Sequence, residues 1–163
     1  EHCQEYMIQF GGHKYAAGLT IRPEDYGAFK ARFEEVVQKT LPAALQTPEL
    51  TIDADLNLAQ ISPKLFRIIE QFAPFGPGNR RPVFASEQVT VLPQTKPVGA
   101  DKSHLKMVVA QGECLSISGI AFGFGPQAAA LNTAQKCSLA YSIDQNEWQG
   151  QSSIQLMVKD IKL

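Results

Sequence analysis

Apolar and polar residues alternate along several stretches of the chain beyond residue 50, as they do in half-buried β strands. The alternating stretches are 51–56, 104–109 and 115–122, and the stretches 83–92, 138–143 and 154–158 are predicted to be further strands. Gly119 lies inside one of them, and a glycine within a strand is typical of a bulge or a sharp bend. The pattern predicts a mainly β region after residue 50.

Apolar residues recur at helical spacing in other stretches. At 23–40, proline suits the first turn, and an apolar stripe follows that we expect to pack in a core. The members of this stripe are Tyr26, Phe29, Phe33, Val36 and Val37. Ser62 and Pro63 predict the cap and first position of another helix. Its expected broad buried face consists of Leu65, Phe66, Ile68, Ile69 and Phe72. A short alanine-rich helix is predicted at 126–131.

About five strands with one helix between the third and the fourth is the layout of an OB-fold barrel. The stretch 146–150 is predicted to join the last two strands as a hairpin loop. A plain β sandwich is the structural alternative, and the position of the helix favours the barrel. The stretch 46–48 looks like a linker. We therefore predict a first segment at 1–46 and an OB domain at 47–163.

Net charge, cysteine content and hydropathy limit the classes of protein to which this chain can belong. The net charge of -1 over 163 residues argues against avid, nonspecific binding to duplex DNA. Cys3, Cys114 and Cys137 are widely spaced and favour a reduced, cytoplasmic protein; the last two are expected to be small core residues. No membrane helix or signal peptide is apparent. Because the chain begins without Met and enters a motif almost at once, we expect a fragment of something longer.

A glycine pair followed by histidine is the first candidate for chemistry. Gly11 and Gly12 would let an oxyanion approach the backbone N–H groups, and His13 adds a ring donor. Residues 15–17 are predicted to form a tight helical turn ended by Gly18, which would place His13 at a helix N-terminus that favours phosphate. The alternative is a plain glycine turn with an exposed, polar histidine, and three residues alone favour it.

A basic stretch between residues 79 and 110 is the second candidate. Its members are Arg80, Arg81, Lys96, Lys102, His104 and Lys106. On an OB fold such groups hold a single strand while aromatic side chains stack on its bases. For Phe84 and Phe122 we favour a place in the core. Trp148 lies in a hairpin loop, so we expect it to be exposed, and a role in ligand binding is as plausible as none. Asp53 and Asp55 are expected to be a solvated strand face, and no metal site is predicted.

Two sets of motifs resemble known families. Gly-Gly-His-x-x-Ala-Ala-Gly at 11–18 resembles the DHH-associated domain, the second lobe of the DHH phosphoesterase superfamily. Alanyl-tRNA synthetases also carry that pattern, but the barrel sequence argues against a tRNA-related protein. Later stretches resemble the OB domain of the RecJ family of single-strand-specific 5′→3′ DNA exonucleases: 75–79, 82–84, 98–99, 104–106, 120–123, 146–150 and 156–161. Arg80 and Arg81 depart from the family's usual Asn-Pro-x-Pro.

The resemblance implies a mainly β fold with α, in which a partial α/β DHH-associated segment precedes an OB-fold-like five-stranded barrel. It implies a parent hydrolase whose first lobe holds two divalent ions, Mn²⁺ or Mg²⁺. Two-metal chemistry needs several carboxylate and imidazole ligands, so without that lobe we expect this chain to bind no metal and to be inactive alone. His13 then contributes a phosphate contact and transition-state charge stabilisation.

The expected partners are single-stranded DNA and DNA-repair proteins such as a single-strand-binding protein or a helicase, with no membrane. The implied process is DNA repair and recombination. The predicted substrate-binding residues are Gly11, Gly12, His13, Arg80, Arg81, Lys102, His104, Lys106 and Trp148. The alternative function is a stand-alone OB-type module that binds single-stranded DNA or a protein without catalysis.

Overall fold

The computed structural model describes residues 2–13, 15–42, 45–112 and 116–163, including the backbone but not the side chain of Trp148. The chain divides into two compact units, one that ends at Leu50 and one that begins at Thr51. The predicted linker at 46–48 lies just before this division. Among the described residues, no helix combines the length and the apolar character that a bilayer crossing requires.

The first unit contains a β hairpin followed by a helix. Strands β1 (Gln9–His13) and β2 (Ala16–Thr20) follow a 3₁₀ turn at Gln4–Tyr6. A second 3₁₀ turn at Pro23–Asp25 leads into helix α1 (Tyr26–Thr40). The helix predicted at 23–40 is therefore confirmed, with its first turn tightened to 3₁₀ geometry.

The helical turn predicted after His13 is wrong. His13 pairs with Ala16 and Gly11 pairs with Gly18 in an antiparallel ladder, so this stretch is a hairpin. A Cβ atom on Gly12 would lie 2.5 Å from the carbonyl oxygen of Ala16, which shows that the two strands approach too closely there for a side chain. His13 ends a strand, and the helix-dipole argument for phosphate binding does not apply to it.

The apolar stripe of α1 is not a core, which corrects the prediction for this helix. No residue of α1 is buried, and Tyr26 and Phe33 remain 59% and 51% exposed. The physical reason is that one helix and a two-stranded sheet provide too few layers to enclose the stripe. The polar side of the helix carries ion pairs in which Glu35 contacts both Arg32 and Lys39.

The second unit contains most of the regular structure. Its described strands are β3 (Ala54–Asp55), β4 (Phe84–Val91), β5 (Lys96–Val98), β6 (His104–Ala110), β7 (Ile117–Ala121), β8 (Lys136–Trp148) and β9 (Gln151–Lys162). Helix α2 (Pro63–Glu70) precedes β4 along the chain, and helix α3 (Ala128–Ala134) lies between β7 and β8. Edge strand β5 is absent from the strands predicted by the sequence.

Five of these strands pair in a closed order. β4 pairs with β6, β6 with β7, β7 with β9, β9 with β8, and β8 with β4. Of these five pairings, the one between β7 and β9 is parallel and the other four are antiparallel. With α3 between the third and the fourth ring strand, the connectivity is that of an OB fold. The predicted mainly β, OB-like architecture is confirmed.

The interior of the ring is apolar, and its polar groups are paired. Leu105, Met107 and Val109 alternate along β6 and are fully enclosed. Tyr141 is the largest fully buried side chain among those that the structure describes. Its hydroxyl lies 2.8 Å from the hydroxyl of Ser86, which donates to the carbonyl of Leu56. Hydrogen bonds of this kind remove the cost of burying the two hydroxyls.

Helix α2 is shorter and less buried than predicted. Ser62 does cap it, since its hydroxyl accepts the backbone N–H of Leu65 at 3.3 Å. Ile69 is buried, but Ile68 and Phe72 are 43% and 61% exposed. A helix on the outside of a ring buries only one stripe, so the broad buried face is wrong.

Three smaller predictions about the strands are also resolved. Gly119 forms no bulge: its register with Met107 and Leu156 is regular, and a Cβ there would lie 3.2 Å from Leu156 Cβ.

The hairpin loop is shorter than predicted and consists of Gln149 and Gly150, whose φ angles of 49° and 76° suit a two-residue turn. Phe84 is half-buried against the core, as expected.

The predicted place of the cysteines is confirmed for one of them. Cys137 is buried, and desolvation raises the pKa of its thiol to about 11. Such a thiol stays protonated and behaves as a small apolar side chain. Cys114 lies outside the described residues.

Candidate nucleic-acid interface

The outward side chains of β5, β6 and β7 form one continuous surface, which we call the outer face. Leu105 and Met107 are fully enclosed, so alternation along β6 directs His104 and Lys106 outward. Lys96 on β5 is the register partner of Lys106. The pairing of β5 with β6 thus brings together basic residues that are ten positions apart in the sequence.

Lys96 and Lys106 form a like-charged cross-strand pair. Side chains directly opposite each other on antiparallel strands have Cβ atoms about 4.5–5.5 Å apart, and like charges there destabilise the sheet. Both lysines are exposed, and within the described part of the chain no carboxylate forms an ion pair with either. A bound anion would relieve this repulsion, which makes the pair a natural phosphate position.

An apolar strip continues from the lysine pair across the ring. Lys106 pairs with Ile120 on β7, and Ile120 pairs with Met157 on β9. Both apolar residues are half-buried. Phe122 follows β7 and is 58% exposed, so the prediction that it lies in the core is wrong. Its neighbour Ala121 is fully buried, whereas the larger aromatic side chain of Phe122 lies in solvent.

His104 is held by the loops at the end of the outer face. Its Nδ1 accepts the backbone N–H of Gly123 at 3.2 Å and lies 3.2 Å from the hydroxyl of Ser103. A neutral imidazole that accepts at Nδ1 carries its proton on Nε2. The ring of His104 also meets that of Phe122 edge-on, with centroids 5.0 Å apart. His104 is therefore both a possible donor and a packing partner of Phe122.

The loop before β6 presents Lys102 to solvent. Lys102 has a φ of 56° and an exposed side chain. Hydrogen bonds from Ser103 are the main reason that the pKa of the Asp101 carboxyl lies below its ordinary value. A Cβ on Gly125 would lie 2.0 Å from the carbonyl oxygen of Lys102, so the loop rests directly on that glycine.

Arg80 and Arg81 differ in their surroundings. Arg80 is exposed. The guanidinium of Arg81 contacts Glu70 at 2.5 Å, donates to the carbonyl of Ile143 at 3.2 Å and lies 4.4 Å from the centroid of the Phe75 ring. The DNA contact predicted for Arg81 remains a prediction, and it would require this side chain to leave three partners.

His13 lies in the hairpin of the first unit and is exposed together with Gly11 and Gly12. The backbone N–H of Tyr15 donates to its Nδ1 at 3.2 Å. The neutral ring therefore carries its proton on Nε2 and can donate there. The donor predicted for His13 is available through this arrangement, although not through a helix terminus.

The outer face thus collects His104 and Lys106 from the predicted site, and Lys102 lies in the loop just before β6. The predicted site residues did not include Lys96, which is part of the basic stretch, or Phe122. Lys96 is the register partner of Lys106, and Phe122 contacts His104, so strand pairing is the signal that could have identified both. Nothing is described of the Trp148 side chain. Among the described residues, no group of three or more metal-ligating side chains lies together, so they do not fit a two-metal centre.

Known proteins resemble this chain in sequence over most of its length. The family model of the RecJ OB domain matches residues 52–160. The chain is 33% identical over 158 residues to the single-stranded-DNA-specific exonuclease RecJ of Salmonella typhimurium, covering 96% of this chain and 27% of that protein. It is 28% identical over 158 residues to the RecJ of Bacillus subtilis, covering 97% of this chain and 20% of the relative.

Solved structures agree on the fold. Crystal structures of Thermus thermophilus RecJ with Mg²⁺ and with Mn²⁺ match 99% of the chain with TM-scores of 0.60 and 0.62 at 22% identity. The chain covers 24% and 23% of those two proteins. It therefore spans about a quarter of the length of the relatives it matches.

Proposed function

The chain belongs to the RecJ OB-domain family, and from this premise we propose that it is the C-terminal portion of a metal-dependent, single-strand-specific 5′→3′ DNA exonuclease. Its own role in that enzyme is to hold single-stranded DNA on the outer face. The observation that carries this role is the exposed pair of Lys96 and Lys106 beside the exposed Phe122. Cations that follow a strand, together with an aromatic platform, are what single-strand binding needs.

The DNA contacts fall into two groups. Lys106 on the outer face and Lys102 in the loop before β6 contact the strand, and His104 contributes to binding on the same face. Arg80 and Trp148 extend the contact beyond it. In the first unit, His13 and its two glycines contact the substrate phosphate near the reacting bond. There Nε2–H donates to a nonbridging oxygen, which gains negative charge in phosphoryl transfer.

The catalytic ions of the enzyme, Mn²⁺ or Mg²⁺, are held by residues outside this chain. In the cell the enzyme acts in the cytoplasm, in DNA repair and recombination. Its protein partners there are a single-strand-binding protein or a helicase, both of which supply single-stranded DNA. Retention of either purified protein on the immobilised chain, at physiological salt and after nuclease treatment, tests the partner directly.

Lys106→Ala is expected to weaken binding of a thymidine oligonucleotide and to reduce its salt dependence. Each phosphate contact to single-stranded DNA contributes about 0.7 to the slope of log K against log salt concentration. The slope should therefore fall by about 0.7. Fluorescence anisotropy of a labelled oligonucleotide at four salt concentrations measures both quantities.

Lys64→Ala is the matched control, because Lys64 is an exposed lysine of the same unit on helix α2. It changes the net charge equally but lies outside the outer face. Equal slopes for Lys106→Ala and the unaltered chain would contradict the phosphate contact. Equal losses in both variants would mean that only total charge matters.

The chain alone is expected to release no nucleotides from the 5′ end of single-stranded DNA. The described residues bring no metal-ligand group together, and hydrolysis of this kind depends on bound ions. Incubation of a 5′-labelled oligonucleotide with the purified chain and Mn²⁺ checks this. Mn²⁺-dependent release that copurifies with the chain and is abolished by chelation would contradict it.

A further inference from the structure

We propose that Phe122 is a stacking platform for one base and that His104 is the positioning residue that holds it. The inference rests on the proposed function, since it names how the outer face takes a single strand. Phe122 is assigned the contact with the base, and Lys96 and Lys106 the adjacent phosphate. His104 acts through Phe122 rather than as a hydrogen-bond donor to DNA.

The exposure of Phe122 is the first observation. A phenylalanine ring that is 58% exposed beside an apolar strip leaves a large apolar surface in water. Its contact with His104 is edge-on, with an angle of 79° between the ring planes. In a T-shaped pair only one ring presents its face to the partner. The surface that remains exposed on Phe122 is of the kind on which bases of any sequence stack.

The immobilisation of His104 is the second observation. One edge of its ring is fixed by the N–H of Gly123, which donates to Nδ1, and by the hydroxyl of Ser103. Gly123 has a φ of 82° and directly follows Phe122, so the same hydrogen bond also fixes the chain at the platform. A platform whose orientation is set before binding loses less side-chain entropy when the base arrives.

The pair of Lys96 and Lys106 provides the position for a phosphate next to the base. Lys106 pairs across the sheet with Ile120, and Phe122 follows Ile120 by two residues, just after β7 ends. Two residues of chain span at most about 6.6–7.2 Å. A phosphate between the lysines and a base on Phe122 therefore lie within the reach of neighbouring parts of one strand. Attraction of the phosphate and stacking of the base then add on one surface.

The test separates these two contributions with two oligonucleotides of equal charge. One is a thymidine oligonucleotide, and the other has the same length and backbone but carries only abasic sites. Phe122→Ala should weaken binding of the thymidine strand about 5- to 150-fold, which is the range for loss of one stacked base, and leave the abasic strand unchanged. Lys96→Ala should weaken both strands equally. Phe33→Ala, which removes an exposed phenylalanine from α1, is the matched control.

His104 is tested in the same way. His104→Ala should lower affinity for the thymidine strand but not for the abasic strand. His104→Asn keeps an acceptor close to the position of Nδ1 and should restore part of the loss. Equal loss on both strands for His104→Ala would instead make His104 a phosphate donor and overturn its role as a positioning residue.

The outcomes distinguish the inference from the function on which it rests. Salt-dependent binding of both strands that Phe122→Ala does not change would overturn the stacking platform and leave the outer face as a purely electrostatic site. Absence of binding to either strand by the unaltered chain would overturn the proposed function itself. Equal weakening of both strands by Phe122→Ala, with an unchanged melting temperature, would also count against stacking.

Discussion

Replacing His13 by alanine in the full-length enzyme should lower kcat by about 10²–10³-fold, the range for loss of one preorganised donor to an oxyanion. The hairpin fixes the tautomer that donates from Nε2, because Tyr15 donates its N–H to Nδ1. Hydrogen-bond donors that are already in position stabilise the negative charge that develops on the nonbridging oxygens in the transition state. KM should change less, since the proposed contacts of the outer face would contribute most of the ground-state binding. Single-turnover kinetics measure the loss.

Metal content and melting temperature are measured on the same preparation. His2→Ala is the matched control, because His2 is an exposed histidine of the same unit and its contact with Arg32 uses only the backbone carbonyl. Near-normal turnover of His13→Ala would show that His13 is a structural residue of the hairpin. Loss of bound metal would show that it is a ligand.

Gly125→Ala should destabilise the second unit by about 3 kcal/mol, the upper part of the usual range for overpacking. The new Cβ would lie 2.0 Å from the carbonyl oxygen of Lys102 and 2.8 Å from the carbonyl carbon of Ser103. Both atoms belong to the backbone, so no rotamer change relieves the clash. Urea unfolding followed by far-UV circular dichroism measures the change in free energy.

Gly76→Ala is the control for this prediction, because nothing lies within 4 Å of a Cβ built there. The same displacement should loosen the loop that carries Lys102, so weaker binding of oligonucleotides should accompany the lost stability. Unfolding curves that coincide for Gly125→Ala and the unaltered chain would mean that the loop moves away from Gly125 at little cost.

Local patterns in the sequence determined the elements and the fold class. Alternating and extended stretches in the sequence located the five ring strands, because residues of a strand in a closed sheet face either the core or water. Ser62 and Pro63 marked the start of α2 through interactions that stay within a few residues. The position of α3 between the third and the fourth ring strand then distinguished an OB-like ring from a sandwich.

Only the tertiary structure decided where backbone segments approach each other closely and which side chains face the core or the solvent. Gly12 and Gly119 are glycines because another strand lies against them, and such contacts come from residues distant in the sequence or across a turn. Phe122 was expected in the core. The structure instead buries Gly119, against which Leu156 lies at 3.2 Å from a built Cβ, and Ala121, and the side chain of Phe122 remains 58% exposed.

The same holds for charge. The sequence by itself determined that Lys96, Lys102, His104 and Lys106 form a basic stretch. Their division of roles required the register of β5 with β6, which places two lysines opposite each other, and the loop contacts that hold His104 on Phe122. Arg81 was equivalent to Arg80 in sequence, and only folding brought Glu70 and the Ile143 carbonyl to it. The physical reason is that composition specifies which charges are present, whereas strand pairing and packing decide which of them remain available to a ligand.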